Sequence, residues 1–482
     1  MYDALVVGSG ATGAWTALLL AQAGRRVLVL EGGPRPTPAA MDRLRRHRDP
    51  EGPPPVQPVQ SRLPGHSPPI APFLVDDVLH PYAAPGPAPY TWLRSRQLGG
   101  RTVLWGGVAP RLADEDFAAT STGAAWPFTA ADIAPHYDRV EAALGVDRDQ
   151  PLTAAEHALA GALEARWPGV RVRSRPGIPR RPERADADGA VWPATASPVL
   201  LLDRAVSAGA EVRTDCIVES LTLDGARVGG VNVVARRTRE RGVVRAGAVA
   251  LCASTIESTR ILLHSRNREH PHGVGNSSGH LGRHLRDHLA VTVSGTAAGF
   301  TGPDEELPLG GPFGIYAALP QRRFQVEGWA QRGAPRPGLP ARFSLAASAE
   351  MTAGSSGVVT LDDELRDAWG IPAPAIRLTV SDEDAARVRR AEAEVLEACA
   401  SAGFDVADVD RHHEVLRAYV HDVGTARMGA DPAASVADPH NRVWDAPNVL
   451  VLDGACWPAN PCPNPTLTML AIASRACDAC TG

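Results

Sequence analysis

The sequence predicts an α/β fold of two interleaved domains, one opening with a βαβ unit and the other built on a mostly antiparallel sheet covered by helices. Three observations predict it. Residues 3–31 read as a strand, a glycine-rich turn, a helix and a second strand; helix-like and strand-like segments recur over residues 131–264; and residues 295–378 are strand-like but irregular, with many Gly and Pro. A chain of 482 residues has room for two such domains.

The first predicted element is a short buried strand, Asp3–Val7, because its residues are mostly apolar. It leads into the turn Gly8-Ser9-Gly10-Ala11-Thr12-Gly13. Apolar residues at helical spacing then predict a helix over Ala14–Ala23, which a glycine ends. A second strand, Arg26–Leu30, ends at Glu31, and this completes a βαβ unit.

The three glycines of this turn have separate functions in a GxGxxG motif. Gly8 permits the tight turn, Gly10 lets the backbone approach a pyrophosphate, and Gly13 allows the helix to pack closely on the strand. Glu31 is placed to accept a hydrogen bond from a ribose 2′-hydroxyl, and it would repel the 2′-phosphate of NADP. The motif therefore predicts a Rossmann-like dinucleotide-binding domain, and by itself it leaves NAD and FAD as alternatives.

The later elements follow from the same periodicities. Residues 34–89 are rich in proline and have few periodic apolar positions, so they predict a functional loop, a lid or a disordered excursion. The regular segments that follow are strands over 212–223, 228–235 and 248–252, and helices over 131–145, 154–165, 255–264, 382–402 and from near Pro465.

Composition and charge argue against several classes of protein. The net charge is −5 and no basic stripe is present, so nucleic acid is not an expected partner. The apolar stretches are strand-sized or amphipathic, so no membrane span is predicted, and no signal peptide is recognised at the N-terminus. The 7 cysteines lack metal-ligand spacing, and the CxxC of Cys477 and Cys480 has no second pair. We expect a cytoplasmic protein without a bound metal.

Further segments resemble the glucose–methanol–choline (GMC) oxidoreductase family in their order and spacing. They extend over most of the chain and comprise Leu98–Gly107 (LGGRTVLWGG), Trp126–Phe128 with Tyr137, Glu141–Val146, Gly282–His288 (GRHLRDH), His421–Gly429 (HDVGTARMG), Asn448–Gly454 (NVLVLDG) and Asn464–Thr468 (NPTLT). The C-terminal segments are the most specific. The resemblance implies FAD as the cofactor, a choice that the glycine motif alone leaves open.

The resemblance also implies which residues surround the FAD. Missing side chains at Gly99 and Gly100 would admit the cofactor, and the turn before the last helix would place that helix's N-terminus beside the flavin ring. The cofactor-binding residues expected from the motif and the resemblance together are Gly8, Gly10, Ala11, Thr12, Gly13, Glu31, Gly32, Arg94, Gly99, Gly100, Thr102, Val103, Leu104, Trp105, Gly106, Cys216, Ile217, Val218, Cys252, Ala253, Asp453, Gly454, Asn464, Pro465 and Thr466.

Two positions depart from the family pattern. Some members attach FAD covalently through a histidine in the glycine-rich loop, and the matching position here is Leu104, so we expect noncovalent FAD. The usual glycine of the segment Cys252–Thr255 is replaced by Ser254, which is expected to tighten the approach to the cofactor.

The resemblance implies a catalytic pair. Alcohol oxidation requires a base for the hydroxyl proton while hydride passes to flavin N5, and the ordinary histidine pKa of about 6.5 suits that role. His421 matches the family's active-site histidine, and Asn464 matches its partner, which is His or Asn. We expect His421 to act as the general base and Asn464 to hold the substrate oxygen. His284 and His288 lack a third metal ligand, and the resemblance makes them structural.

We assign FAD-binding segments to residues 1–150, 211–290 and 416–482, and substrate-domain segments to residues 151–210 and 291–415. The predicted function is oxidation of a primary or secondary alcohol, and the expected substrate is a sugar, an aminosugar or a glycosylated metabolite. The motifs leave the electron acceptor open between oxygen, a quinone and another carrier. Alternatives are a non-sugar alcohol substrate, and a non-redox lyase of the same fold in which FAD is structural.

Overall fold

The computed structural model describes residues 1–482 apart from 47, 51, 64–65, 87–88, 119–123, 179–196, 226, 306–312, 413–419 and 482. In this part of the chain the helices are α1 (Ala11–Gln22), α2 (Pro38–Arg45), α3 (Asp114–Phe117), α4 (Ala130–Leu144), α5 (Ala154–Arg166), α6 (Ser197–Ser207), α7 (Thr255–His264), α8 (Asp382–Ser401) and α9 (Thr466–Thr481). None of these helices is both long and apolar enough to cross a membrane.

The strands of the same described residues are β1 (Tyr2–Val7), β2 (Val27–Leu30), β3 (Arg173–Ser174), β4 (Glu211–Arg213), β5 (Cys216–Asp224), β6 (Arg227–Ala235), β7 (Arg241–Leu251), β8 (Leu289–Thr301), β9 (Ile315–Leu319), β10 (Phe324–Ala330), β11 (Pro340–Ala349), β12 (Ser356–Arg366), β13 (Pro372–Thr379), β14 (Phe404–Asp410), β15 (Arg442–Val443) and β16 (Ala446–Val451).

The first sheet is built on the predicted βαβ unit. β1 pairs in parallel with β2 on one side and with β7 on the other, and β16 and β4 extend these parallel pairs outward. The residues of β2 are all buried, as expected for a parallel sheet covered on both faces. Counting described residues, the sheet has eight strands in the order β15-β16-β7-β1-β2-β4, with the β5–β6 hairpin joined to β7.

The second sheet is antiparallel and lies in the predicted substrate-domain region. Its six described strands are ordered β14-β8-β11-β10-β9-β3. α8 supplies Val388 and Val395 to a hydrophobic core shared with Phe343 and Leu345 of β11. β10 carries polar side chains that reach the C-terminal segment near Asn464. The fold class predicted from the sequence is therefore confirmed.

Several element boundaries differ from the prediction for local reasons. α1 begins at Ala11, earlier than predicted, because the glycine-rich turn itself supplies the first helical residues. The strand predicted over 212–223 is broken at Asp215, whose φ is 54°. The proline-rich segment contains α2. α6 was not predicted; it contributes Leu201 and Leu202 to the same core as α1, although it lies in the segment assigned to the substrate domain.

Candidate active site

A cavity of about 410 Å³ runs from the carboxyl end of β1 to the start of α9. Most residues predicted from the sequence line it. They are Gly8, Gly10, Ala11, Thr12, Glu31, Gly32, Arg94, Gly100, Thr102, Leu104, Trp105, Gly106, Cys216, Ile217, Val218, Cys252, Ala253, His421, Asp453, Gly454, Asn464, Pro465 and Thr466. The predicted residues outside the lining are Gly13, Gly99 and Val103; Val103 is a core residue.

The opening turn is shaped by close backbone packing. A Cβ at Gly8 would lie 2.4 Å from the Cys252 carbonyl oxygen, and a Cβ at Gly13 would lie 2.0 Å from the Gly8 carbonyl oxygen. Gly10 differs, because the nearest atom to its Cβ position is 4.0 Å away. Gly10 is also the N-cap of α1 and offers no side-chain hydrogen bond to the first turn. The helix N-terminus therefore presents N–H groups at a clear wall of the cavity, which suits a diphosphate.

The side chain of Glu31 holds this turn in place through hydrogen bonds. Its Oε2 accepts hydrogen bonds from the Ser9 backbone N–H at 3.1 Å and the Ser9 hydroxyl at 2.6 Å, and its Oε1 accepts from the Gly33 N–H at 2.8 Å. Burial raises the pKa of Glu31. A carboxylate has about four acceptor positions, so these three bonds leave room for one more, such as a ribose hydroxyl.

The second glycine-rich segment is tied to the opening turn. The Gly99 N–H donates to the Ser9 hydroxyl oxygen at 3.0 Å, and Gly99 and Gly100 have φ values of 88° and 52°. Such positive values favour glycine over residues with side chains. Thr102 then donates through Oγ1 to the Gly99 carbonyl at 2.5 Å. The segment is held against the cavity by its own backbone.

Asp453 and Gly454 lie where β16 ends. Asp453 accepts hydrogen bonds from the Ser258 hydroxyl at 2.5 Å and the Ala455 N–H at 3.0 Å, and burial raises its pKa to about 6. A Cβ at Gly454 would lie 2.5 Å from Thr255 Oγ1. Both residues are thus fixed by α7 and by the turn that follows β16.

Ser254, at the N-cap of α7, has a strained backbone. Its φ of 83° and ψ of 155° lie in a region that is essentially restricted to glycine. The departure from glycine noted in the sequence therefore falls at a position whose conformation calls for glycine. Ser254 also lines the cavity.

His421 is positioned by a short antiparallel backbone pair. The Arg286 N–H donates to the Val423 carbonyl at 3.0 Å, and the Val423 N–H donates to the Arg286 carbonyl at 2.9 Å. Gly424 has a φ of 103°, and a Cβ there would lie 2.3 Å from the His284 carbonyl oxygen. Only a glycine allows the two segments to approach this closely.

This backbone pairing brings His288 against His421. Their Nδ1 atoms are 3.0 Å apart, and Asp287 Oδ1 accepts both backbone N–H groups, at 2.8 Å from His288 and 2.9 Å from His421. The two histidines that the resemblance made structural therefore differ. His284 contacts His280 at 2.9 Å, whereas His288 touches the candidate base.

The electrostatics favour a neutral His421. Burial lowers its pKa well below the ordinary value, and the nearby His288 and Arg101 lower it further. Burial also lowers the pKa of His288 to about 4. A neutral imidazole is the form that can accept a proton.

Asn464 is held by two side chains of β10. Gln325 Nε2 donates to Asn464 Oδ1 at 3.1 Å, and Asn464 Nδ2 donates to Glu327 Oε1 at 3.2 Å. Arg175 Nη1 lies 3.6 Å from Glu327 Oε2. Because a carboxylate accepts only, the amide nitrogen of Asn464 must face Glu327. One N–H of Asn464 then remains for another acceptor.

A row of buried polar oxygens continues from this pair across the antiparallel sheet. Gln325 lies opposite Ser348 of β11, and Glu327 lies opposite Tyr316 of β9. In the described residues, Gln325 Oε1, Glu327 Oε2, Ser348 Oγ and Tyr316 OH have no hydrogen-bond partner. Gln325 and Glu327 are the two members of this row that contact Asn464.

Sequence reasoning missed several charged residues that line the cavity. Arg96 lies 3.5 Å from Glu257 and stacks over the Trp369 ring at 4.9 Å. Arg101 pairs with Asp422 at 2.6 Å across 321 residues of chain. Arg96 precedes the second glycine-rich segment and Arg101 lies within it, and that position was the available signal. Their partners are too distant in sequence to be recognised from spacing.

Comparisons with known proteins identify the family of the chain. Two models of the GMC oxidoreductase family match residues 2–290 and 353–473. The chain is 27% identical to a 2-methyl-1,2-propanediol dehydrogenase of Mycolicibacterium austroafricanum, over 99% of this chain and 94% of that protein. It is 29% identical to a paromamine 6'-oxidase of Streptomyces fradiae, over 100% and 92% of the two chains.

The fold is also found among solved structures. The crystal structure of pyridoxine 4-oxidase from Mesorbium loti superposes with a TM-score of 0.68 at 19% identity, over 99% of this chain and 98% of that chain. At this identity the likeness shows the fold alone.

Proposed function

The chain belongs to the GMC oxidoreductase family, and on that premise we propose that it uses noncovalently bound FAD to oxidise an alcohol group of a sugar or aminosugar. The family and the relatives of the chain show that it is an oxidoreductase acting on CH–OH groups. One observation carries the finer proposal: His421 and Asn464 line the same cavity as the nucleotide-binding turn.

The family is FAD-dependent, and the cavity fits that cofactor. The free N-terminus of α1 and the space at Gly10 suit the diphosphate, Glu31 retains an acceptor position for a ribose, and Cys216 lies with Ile217 on the same wall. We propose the residues predicted from the sequence as the FAD-binding set. When bound, FAD supplies the acceptor for the hydride that leaves the carbinol carbon.

The chain itself supplies the proton chemistry. His421, kept neutral by burial, accepts the proton of the substrate hydroxyl. The remaining N–H of Asn464 donates to the substrate oxygen and fixes its position. An acceptor and a donor that line the same cavity match the hydrogen-bonding pattern of an alcohol. α9 starts at Thr466, so its positive N-terminal end also favours negative charge developing near Asn464.

The substrate class is proposed from two relatives with which the chain aligns over nearly its whole length. The likeness to paromamine 6'-oxidase supports an aminosugar.

A small aliphatic diol is the second candidate. It is favoured by the likeness to 2-methyl-1,2-propanediol dehydrogenase, which extends over nearly the whole chain. We further propose a cytoplasmic enzyme, with the FAD-binding and substrate segments divided as predicted from the sequence.

An anaerobic substrate panel tests the proposal. The FAD-loaded protein is mixed with sugars, aminosugars, small diols and simple alcohols, and the visible absorbance of oxidised flavin is followed. We expect loss of absorbance with a sugar or aminosugar and none with the matched deoxy analogue that lacks the reacting hydroxyl. Addition of oxygen or a quinone to the reduced protein then identifies the acceptor. A protein that binds FAD but is bleached by no alcohol would support the lyase alternative instead.

A further inference from the structure

The hydrogen bonds of His288 determine where its proton lies. His288 Nε2 is 2.9 Å from the Pro461 carbonyl oxygen. A carbonyl oxygen only accepts, so Nε2 carries the hydrogen and donates. Burial lowers the pKa of His288 to about 4, so near neutral pH the ring holds this one proton. Its Nδ1 is therefore an acceptor.

The same assignment of donors and acceptors extends to His421. His288 Nδ1 accepts, and it lies 3.0 Å from His421 Nδ1, so His421 must donate through Nδ1. We propose that His288 is a positioning residue, which fixes neutral His421 with its proton on Nδ1 and leaves the lone pair on Nε2. Without this acceptor an isolated imidazole prefers its proton on Nε2, and it could not accept the substrate's proton there. The inference rests on His421 as the base of the proposed function.

The charged groups around this pair have hydrogen-bond partners of their own. Asp287 Oδ1 accepts the backbone N–H groups of both histidines, and its other oxygen accepts from the Tyr90 hydroxyl at 2.9 Å. Arg101 is paired with Asp422 at 2.6 Å. His421 Nδ1 is thus oriented by a neutral imidazole and a carbonyl in series, where other enzymes orient a catalytic histidine with a carboxylate. A neutral partner holds the tautomer without raising the pKa of the base.

The first test observes the tautomer directly. In the FAD-loaded protein labelled with ¹⁵N-histidine, nitrogen chemical shifts distinguish a protonated from an unprotonated ring nitrogen. The His421 signals are assigned by their loss in His421→Ala. We expect Nδ1 to be protonated in the native protein and in His288→Gln, whose amide offers one acceptor and one donor. In His288→Leu the proton should move to Nε2. A native His421 with its proton on Nε2 overturns the proposal.

The second test measures the rate of flavin reduction in the same proteins. His288→Leu should lower the rate by roughly 10- to 100-fold, a part of the 10²–10⁴ that a general base contributes, with little change in substrate affinity. His288→Gln should recover most of this loss. The matched control is His412→Leu, which removes another buried histidine whose ring lies 3.0 Å from Thr292 Oγ1.

Equal rates in His288→Leu and the native protein, or no recovery in His288→Gln, contradict the positioning role. If His288→Leu does not fold, the tautomer in the native protein and in His288→Gln decides the matter. The proposed function fails separately, through a native rate in His421→Ala, and that result leaves the ¹⁵N measurement intact.

Discussion

The amide nitrogen of Asn464 donates to Oε1 of Glu327 at 3.2 Å, and this bond joins the C-terminal segment to β10 of the antiparallel sheet. Because the Glu327 carboxylate accepts only, this bond sets which way the amide of Asn464 is turned. A contact between the C-terminal segment and the antiparallel sheet therefore determines the orientation of this side chain.

Replacing Glu327 with Gln should disturb that orientation. A glutamine amide can donate or accept, so Asn464 can turn over, and Arg175 loses its charged partner. We expect flavin reduction to slow by about 10-fold, within the range that substrate positioning contributes. Stopped-flow reduction of Glu327→Gln and of the exposed Glu364→Gln control measures this. Identical rates in the two variants would show that Glu327 does not orient Asn464.

The pH dependence of flavin reduction reports on the His421 environment. Burial, His288 and Arg101 lower the pKa of His421 well below its ordinary value. The neutral base is then lost only when the pH falls through this lowered pKa. We therefore expect the titration of His421 to lower the rate only in buffer more acidic than about pH 6, and we assign any smaller change near neutral pH to Asp287, whose pKa burial raises to about 7. A rate that declines through about pH 6.5, the pKa of free histidine, would contradict a lowered pKa.

Ser254→Gly should stabilise the protein. Ser254 occupies a glycine-only backbone region, which costs roughly 1–3 kcal/mol, while the greater flexibility of unfolded glycine offsets up to about 1 kcal/mol of the relief. We expect the free energy of unfolding to rise by about 1 kcal/mol, measured by chemical denaturation. The control Ser401→Gly, at the end of α8, should give no gain. A loss of stability in Ser254→Gly comparable to that of the control would remove the argument for strain.

Denaturation tests how the flavin is attached. Leu104 lines the cavity at the position where some family members carry a linking histidine, and a leucine side chain cannot form that bond. We expect all FAD to enter the supernatant when the protein is precipitated with acid. Flavin fluorescence that stays with the polypeptide on a denaturing gel would show a covalent bond through another residue.

Local patterns predicted much of the fold. The apolar run before Gly8 and the glycine spacing predicted β1 and α1. The helical period of residues 382–402 predicted α8. α6 was missed because its neighbours in sequence gave no clear boundary, and it forms by packing Leu201 and Leu202 on the first core. Tertiary contacts therefore account for the formation of α6.

Residues of the site could be predicted only where they belong to a recognised sequence motif. His421 and Asn464 were found through their surrounding segments, but Gln325 and Glu327 were not. In β10 these polar residues alternate with Phe324 and Val326, a pattern typical of a strand with one solvent face. The structure buries both faces, because the C-terminal segment covers the polar one. No local signal distinguishes a polar face that meets water from one that meets another segment.

The most direct test of the account is the rate at which a sugar or aminosugar substrate reduces the flavin in His421→Ala. Since the variant retains the cavity walls that contact the cofactor, it should bind FAD normally. Its anaerobic reduction rate should fall by about 10²- to 10⁴-fold, the contribution of a general base. A variant that binds FAD and is reduced at the native rate would contradict the assignment of His421 as the base.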